Sequence, residues 1–409
     1  MSNCLIPNKK IGKEYAQINY NNYGDLFEHK IPTSLSKSRG NAAGSNVGSY
    51  TLIAGGYTSG SPSSTVDAYN SSLTRSTPTQ LSETKQFLSG SCTSSYAIFA
   101  GGTNGTEDWR SSVDAYSSSL TRTSLTSLGN NRGAYMGSST IGGYAIFAGG
   151  VYGVGVDPCS TVEAYNDSLT KVTGTQLSSA KSKLAGAWIG NGALFAGGEN
   201  GFVTPNILST VDVYNRNLQR VELSPLSVAR YDLAGAKNSS YAMFAGGATG
   251  YVPYQNPTSA VDAYDINWVK TSVTSLTGSR MSVSGASISS YALFAGGYGS
   301  SSSSVYNYVE IYDSNLTKKY LENLDVARCV GASASTSDYA IFAGGYDGST
   351  FKSSVDAYVY EPNLSIQVYP RTKYKFGSAS SETTATSITK VSYAKPVTGY
   401  VKYYTKNLW

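Results

Sequence analysis

The sequence has 409 residues, of which 14% are charged, whereas about a quarter is typical of a soluble protein. Its net charge is a mild +5, and no block of lysine or arginine is present, which argues against nucleic acid as the main partner. A single histidine, His29, argues against histidine-based catalysis and against a histidine-rich metal site. The four cysteines lack the CxxC spacing of metal sites, so we predict free thiols rather than a disulfide framework: Cys4, Cys92, Cys159 and Cys329.

The chain is organised by a sevenfold repeat. Its most regular stretch is YAIFAGG at Tyr339–Gly345, and six near-copies precede it. A fixed period of this size is typical of repeat proteins whose units pack side by side. The first glycine of each pair recurs at intervals of 46 to 50 residues: Gly55, Gly101, Gly149, Gly197, Gly246, Gly296 and Gly344.

Each repeat predicts four short strands, which we call A to D. In the seventh repeat, residues 329–335 (A) are small and apolar, residues 339–343 (B) are continuously apolar, and residues 353–358 (C) are rich in strand formers. Strand D follows in the complete repeats, as at Leu120–Leu128. Segments this short predict strands rather than helices. Four-stranded sheets arranged radially form a β-propeller, with A nearest the axis and B buried between blades. We therefore predict an all-β, seven-bladed β-propeller.

One cation precedes each A strand and one acid lies in each C strand. The acid is always 18 residues from the next cation, so the variation in repeat length falls mainly in the loop joining B to C. Because the strands alternate in direction, both residues lie at the B–C end. We predict a structural ring of ion pairs, or alternatively a ligand-facing charged ring at the channel mouth. The tyrosine two positions after each acid is predicted to pack between blades. The cations are Arg39, Lys85, Arg132, Lys181, Arg230, Arg280 and Arg328, and the acids are Asp67, Asp114, Glu163, Asp212, Asp262, Glu310 and Asp356.

The B–C loops are the predicted binding surface. They differ in length and sequence while the strands hardly change, and loops on a rigid scaffold often carry function. They are rich in Tyr, Ser, Gly and Asn, as paratopes are. The alternative is that they are only tolerated surface connections. The candidate ligand-binding residues are Trp109, Tyr152, Phe202, Tyr251, Tyr254, Tyr306, Tyr308 and Phe351.

A family resemblance rests on three repeated features. The apolar strand ending in GlyGly, the tyrosine of VDAY and the cation before the next A strand resemble kelch repeats over about residues 29–358. The repetition of YAIFAGG and VDAYNSSLT looks most like bacterial and bacteriophage kelch-like proteins, which implies a kelch-type propeller. The tryptophan common late in a kelch repeat is absent, and leucine takes its place: Leu73, Leu120, Leu169, Leu218 and Leu316.

The resemblance also bears on catalysis. Kelch-type oxidases similar to galactose oxidase hold copper with two histidines, which this chain cannot supply. Sialidase-like propellers gather arginines and acids at one site, whereas here these residues recur in every blade. We therefore predict a protein that is not an enzyme, with no catalytic residues, no cofactor and no metal.

We predict three segments: an N-terminal arm (1–28), the propeller (29–359) and a C-terminal β extension (360–409). Residues 29–35 align with a D strand and are favoured to close blade 7, with LSIQVY at Leu364–Tyr369 as the rival. In the extension, SITKVSYA and GYVKYYTK predict a β-hairpin around a proline-containing turn. A hairpin alone is marginally stable, so it should pack on the propeller, on the first 25 residues or on a partner.

These features favour a non-enzymatic binding propeller, a component of a bacteriophage or phage-tail-like particle that recognises a host-surface glycan or protein through its B–C loops. Other virion or assembly proteins would bind its termini. No signal peptide or membrane span is predicted, so we expect no membrane insertion and a location in a virion or extracellular particle, after synthesis in the bacterial cytoplasm. The alternative is a cytoplasmic scaffold for protein partners, and a lesser alternative is a carbohydrate-active enzyme.

Overall fold

The computed structural model describes residues 27–360, except 106–107, 130–131, 154–156, 202–205, 252–254 and 302–303. Nearer the two ends it describes the backbone of seven short strands. The chain has two compact units, which we describe separately: His29–Lys318 with Glu322–Val359, and Met1–Glu28 with Lys319–Leu321 and Tyr360–Trp409. None of the described residues forms an α-helix, and among them no helix is long and apolar enough to cross a membrane.

The larger unit is a seven-bladed β-propeller, as the repeat predicts. Each blade is a four-stranded antiparallel sheet in the order A–B–C–D. The strands are, for blade 1, β4 Ala43–Val47, β5 Tyr50–Ala54, β6 Val66–Tyr69 and β7 Arg75–Ser76; for blade 2, β8 Ser89–Cys92, β9 Tyr96–Ala100, β10 Val113–Ser117 and β11 Arg122–Leu125; for blade 3, β12 Gly137–Ile141, β13 Tyr144–Ala148, β16 Val162–Tyr165 and β17 Lys171–Thr173; for blade 4, β18 Ala185–Ile189, β19 Gly192–Ala196, β20 Val211–Tyr214 and β21 Arg220–Leu223; for blade 5, β22 Ala234–Lys237, β23 Tyr241–Ala245, β24 Val261–Asp265 and β25 Lys270–Ser272; for blade 6, β26 Ser284–Ile288, β27 Tyr291–Ala295, β28 Val309–Tyr312 and β29 Lys318–Tyr320; for blade 7, β30 Ala332–Ser335, β31 Tyr339–Ala343, β32 Val355–Tyr360 and β3 Phe27–Lys30. A two-stranded ladder, β14 Val151–Tyr152 with β15 Asp157–Pro158, lies in the B–C loop of blade 3.

Burial follows the radial position of each strand. The D strand β11 is half-buried or exposed throughout. The B strand β9 and the C strand β10 are almost completely buried, because neighbouring blades cover both of their faces. The A strand β4 alternates between buried and half-buried residues. This pattern explains why the B strands read as unbroken apolar runs.

The A strands are built mostly from small residues because they crowd around the axis. A Cβ atom at Gly90 would lie only 2.9 Å from the carbonyl carbon of Gly44 in the preceding blade. Where serine replaces glycine at this position, its hydroxyl bonds to the neighbouring backbone, as Ser138 does to the carbonyl of Gly90 at 2.8 Å. At this position of the A strand, the neighbouring backbones therefore approach so closely that only a small side chain fits.

Blade 7 is closed by a strand from the N-terminal side of the chain, as favoured from the sequence. This strand, β3, covers Phe27–Lys30 and pairs with β32, so it is shorter than the predicted 29–35 and begins earlier. Its His29 takes the place that Arg or Lys holds in the D strand of other blades, and its Nε2 lies 2.8 Å from Oδ1 of Asp356. The ring is thus closed through side-chain pairing as well as through backbone hydrogen bonds.

In five seams between blades, a tyrosine and a leucine recur as a pair. The C-strand tyrosines are buried and pack against the preceding blade, as predicted; Tyr116, for example, joins the apolar cluster of blade 1. The first tyrosine of a B strand and the leucine of the next blade's C–D turn join the same seam cluster, as Tyr144 and Leu218 do. In blade 5 this turn carries Trp268, with a φ of 65° like the leucines. The prediction that tryptophan is absent at this position is therefore wrong for one blade.

The smaller unit contains short strands from both ends of the chain. The predicted C-terminal strands exist, but their predicted pairing with each other is wrong. The strand β36 instead pairs with an earlier strand of the extension, β33, and β37 pairs with the N-terminal strand β2, one of the three packing options predicted. The strands are β1 Asn3–Cys4, β2 Tyr15–Asn19, β33 Ser365–Val368, β34 Arg371–Lys375, β35 Glu382–Thr386, β36 Thr389–Ser392 and β37 Tyr400–Tyr404.

Candidate functional site

The channel opens into a cavity at the end where the B–C loops and the D–A segments emerge. Inside the channel, the A strands enclose only about 160 Å³. At the mouth the cavity widens to about 730 Å³ and is lined by residues from all seven blades. We call this cavity the cup. Ligand sites are usually concavities of this size with a few convergent polar groups, so the cup is the candidate site.

A ring of seven residues, which we call the collar, lines the cup. Each lies just before an A strand, and each has the left-handed backbone conformation, with φ between 48° and 59°. In six blades its N–H donates to the carbonyl of the collar residue in the preceding blade, at 2.9 to 3.4 Å. The backbone therefore repeats around the mouth while the side chains all differ: Asn41, Phe87, Tyr135, Lys183, Asp232, Ser282 and Val330.

The collar gives the cup one bulky and one open side. In blades 2 and 3, the rings of Phe87 and Tyr135 lie 4.7 Å apart. In blades 6, 7 and 1 the collar side chains are small: Ser282, Val330 and Asn41. The sevenfold backbone thus carries an asymmetric set of side chains. Because the two sides of the cup differ, they can hold a ligand in one orientation.

Charged groups gather in the part of the cup formed by blades 4 and 5. The Lys183 ammonium lies 2.8 Å from Oε1 of Glu199, a side chain that is 2% exposed. The same ammonium lies 5.6 Å from the ring centroid of Tyr135 and 5.1 Å from that of Tyr231, within reach of cation–π attraction. Asp232 accepts a hydrogen bond from the Ser282 hydroxyl. The described lining therefore has one formal positive and two formal negative charges.

The tyrosines of the cup stay protonated over the whole physiological range. Burial, followed by the negative charge of Asp232, raises the pKa of Tyr135 and of Tyr231 to about 12. Burial likewise raises the pKa of Tyr298. These hydroxyls are therefore neutral groups that can both donate and accept hydrogen bonds.

The cation and acid repeated in every blade form ion pairs, but these pairs lie inside the blades. In six blades the pair has an N–O distance of 2.6 to 3.6 Å, and in blade 6 Arg280 pairs with Glu310. Their side chains are at most 4% exposed. Each acid also accepts the backbone N–H three residues before the cation, as Asp212 does from Ser178 at 3.1 Å. This burial supports the structural interpretation over a ligand-facing ring.

The predicted loop residues fall into different environments. Tyr251 lines the cup and stacks on Tyr231 at 5.3 Å. Tyr152 is 39% exposed on the small ladder of blade 3. The rings of Tyr306 and Tyr308 stack at 5.4 Å. The other four predicted residues are Trp109, Phe351, Phe202 and Tyr254, of which the last two lie outside the described residues.

Trp109 and Phe351 fill gaps between blades. The indole N–H of Trp109 donates to the carbonyl of Gly153 at 2.7 Å, and a Cβ atom at Gly133 would meet the Trp109 side chain at 2.9 Å. A Cβ atom at Gly40 would likewise lie 3.0 Å from the ring of Phe351. Each aromatic thus covers a glycine that follows the cation of the next blade, which is a packing role. Ligand binding by either residue stays a prediction.

The collar was missed from the sequence, although a signal was present. The collar residue follows the cation by two positions in six blades and by three in blade 3, where Tyr135 follows Arg132. A position that keeps a nearly fixed offset from the cation, while its residue type changes from Phe to Lys to Asp, indicates a backbone conformation that is constant and side-chain chemistry that varies. Loop length gives no sign of this position, since the D–A segment, which joins strand D to the next strand A, hardly varies in length.

Within the described residues, no group of three or more His, Cys, Asp or Glu side chains could hold a metal ion. No protein-family model matches the chain, and no curated protein matches its sequence. The fold is similar to the solved structure of YjhT, with 10% sequence identity and a TM-score of 0.51, over 83% of this chain and 97% of that chain. At this identity the likeness concerns the fold alone, and the kelch-type and bacteriophage resemblances stay predictions. The chain is a seven-bladed β-propeller.

Proposed function

We propose that the protein is a non-enzymatic binding propeller that recognises a surface glycan or protein of a host cell through the face formed by the B–C loops and the collar. One observation carries the proposal: around the cup, the backbone repeats seven times while the seven collar side chains all differ. A scaffold that only had to close a ring would need no such variety at one mouth. Variable side chains on a rigid frame are the arrangement of a recognition surface.

The proposal includes a bacteriophage or phage-tail-like particle with kelch-type repeats as the setting. Its support comes from the sequence: low charge, a composition rich in Ser, Gly and Tyr, and end segments suited to docking on assembly partners. Truncation before Tyr360 should leave the propeller folded while removing incorporation into a particle. Loss of the propeller fold on this truncation would contradict a docking role for the C-terminal segment.

Whole-cell binding tests the proposal. The labelled full chain is incubated with a panel of bacterial strains, with and without periodate oxidation of surface glycans or protease treatment of surface proteins. We expect strain-specific binding that one of the two treatments removes. Binding to no strain, together with partners captured only from bacterial cytoplasm, would favour the scaffold alternative instead.

A carbohydrate-active enzyme is the second candidate, because the cup holds two carboxylates, Glu199 and Asp232. Paired carboxylates are the usual machinery of glycoside hydrolysis. Both groups are engaged here, Glu199 with Lys183 and Asp232 with Ser282, which favours a binding role. Glycan turnover that disappears in Glu199→Gln would overturn that preference.

A further inference from the structure

We infer that the cup binds the terminal sugar of an uncharged glycan; this inference rests on the proposed function and chooses between its two ligand classes. The residues that line the cup, not the outer parts of the B–C loops, would then determine which sugar is accepted.

The size of the cup favours the end of a chain over a protein surface. Specific protein–protein interfaces cover about 800 Å² on each partner and are commonly broad rather than deep. The cup is instead a concavity of about 730 Å³ at the axis, within the range of about 300–1,000 Å³ usual for small-ligand sites. One or a few sugar units fit such a space, and the rest of the glycan can leave through the open mouth.

The walls of the cup match the two kinds of surface on a sugar ring. A pyranose has apolar C–H faces and a rim of hydroxyl groups. Aromatic side chains offer apolar faces to the first, and in the cup they are Phe87, Tyr135, Tyr231, Tyr251 and Tyr298. Carboxylates, amides and hydroxyls offer hydrogen bonds to the second: Asp232, Glu199, Gln255, Asn41 and Ser282.

The charges of the cup argue against an acidic sugar. Lys183, its one lining cation among the described residues, is already paired with Glu199 at 2.8 Å. Asp232 then leaves the lining with a formal charge of −1. A sialic or uronic acid would bring a carboxylate towards Asp232 without a free cation to receive it, and burying like charges together is unfavourable. A neutral hexose or N-acetylhexosamine carries no such cost.

A matched pair of tryptophan variants tests the inference. Val330 is a left-handed collar residue in the cup, and Ser289 is an exposed left-handed residue, φ 49°, at an A–B turn on the opposite face. Val330→Trp places an indole in the cup, while Ser289→Trp adds the same side chain elsewhere. Asp232→Asn is a milder variant, because asparagine tolerates the left-handed conformation. It removes the negative charge and replaces one acceptor oxygen by an NH₂ donor.

The neutral ligands are the methyl glycosides of glucose, galactose, mannose and N-acetylglucosamine, and methyl sialoside is the anionic comparison. Binding of each to the full chain is measured by calorimetry or saturation-transfer NMR. We expect at least one neutral glycoside to bind in the millimolar range. Val330→Trp should weaken this binding at least about tenfold by steric exclusion, and Asp232→Asn by about tenfold through loss of a charged hydrogen bond. Ser289→Trp should bind like the natural sequence.

Three results would overturn the inference: no neutral glycoside binds, the sialoside binds more tightly than the neutral sugars, or Val330→Trp binds normally. Equal thermal midpoints of the variants exclude unfolding as the cause of a loss, and Asp232→Asn replaces Val330→Trp if the latter fails to fold. Whole-cell binding separates this result from the proposed function. If cells bind the chain but the glycosides do not, the cup is not the sugar site, and the protein can still be a binding propeller. If neither cells nor glycosides bind, the sugar site and the proposed function are both wrong.

Discussion

Trp268 occupies the space that Gly192 leaves open in the seam between blades 4 and 5. A Cβ atom on Gly192 would collide with the indole Nε1 and would lie 3.0 Å from Cε2 of Trp268. In the seam between blades 3 and 4, the corresponding residues are Tyr144 and Leu218. The seam between blades 4 and 5 thus combines a glycine with a tryptophan, whereas the seam between blades 3 and 4 combines a tyrosine with a leucine. The larger side chain comes from the C–D turn in the first seam and from the B strand in the second.

This exchange predicts strong coupling between the two positions. Trp268→Leu should lower the free energy of unfolding by about 2 kcal/mol, since it leaves a cavity in the seam. Gly192→Tyr alone should also destabilise the protein, because its side chain clashes with the indole. The double variant should recover most of the loss, with an interaction energy of about 1–3 kcal/mol in denaturant titration. Additive losses would show that the two side chains do not share one space.

A second prediction concerns backbone strain in the collar. Val330 and Asn41 are neighbours in the ring, joined by a 3.1 Å hydrogen bond from Asn41 N to Val330 O. Both are left-handed, with φ of 48° and 53°, a conformation that suits asparagine and strains a β-branched residue. Val330→Asn should therefore stabilise the fold by roughly 0.5–1 kcal/mol, and Asn41→Val should destabilise it by a similar amount. Denaturant midpoints that move in the opposite directions would refute the strain.

A third prediction tests the buried ion pairs. Asp212 lies 2.9 Å from Lys181 and 3.0 Å from Arg220, and its side chain is inaccessible to solvent. Asp212→Ala should cost about 3–5 kcal/mol, because it leaves an unpaired buried charge. Burial already lowers the pKa of Lys181, and loss of the carboxylate should lower it further.

The control for this pair is Glu222→Ala on the neighbouring D strand. The Glu222 side chain is 55% exposed and lies 3.7 Å from Arg220, so its removal should change stability by less than about 1 kcal/mol. Similar losses in the two variants would mean that burial does not distinguish these acids.

A fourth prediction follows from the histidine in the closing strand. Its ring is 6% exposed, stacks on Tyr358 at 4.9 Å and lies 3.6 Å from Glu322 through Nδ1. The hydrogen bond to Asp356 outweighs burial and raises the pKa of His29 above its usual 6.5. Burial opposes ionisation of Asp356, but the hydrogen bond from His29 and the charge of Arg328 lower its pKa overall.

The sign of the pH effect follows from these two shifts. A raised histidine pKa adds stability that is complete below pH 6.5 and is lost as the pH rises through the folded-state value. The lowered pKa of Asp356 adds stability that is lost only in acid. The protein should therefore be less stable at about pH 9 than at about pH 6. His29→Lys, which restores the cation type of other blades, should flatten this dependence, and an unchanged slope would show that the closing strand is not responsible.

The sequence predicted the ring well, because the ring depends on local and periodic features. GlyGly ends each B strand, and the constant spacing of cation and acid matches pairs such as Arg39 with Asp67, 2.7 Å apart. Two features were not predictable in this way. The pairing of β36 with β33 depends on competition between several similar strands, and the exchange of Gly192 with Trp268 joins residues 76 positions apart. The collar residues can be found in the sequence by their offset from the cations, but their shared left-handed conformation is visible only in the structure.

The measurement that tests the central claim most directly is whole-cell binding of the natural sequence, Val330→Trp and Ser289→Trp, compared on the strains that the natural sequence binds. The account predicts that Ser289→Trp binds as the natural sequence does, while Val330→Trp binds at least about tenfold more weakly. Normal binding by Val330→Trp with loss in Ser289→Trp would locate recognition on the opposite mouth of the channel and contradict the account.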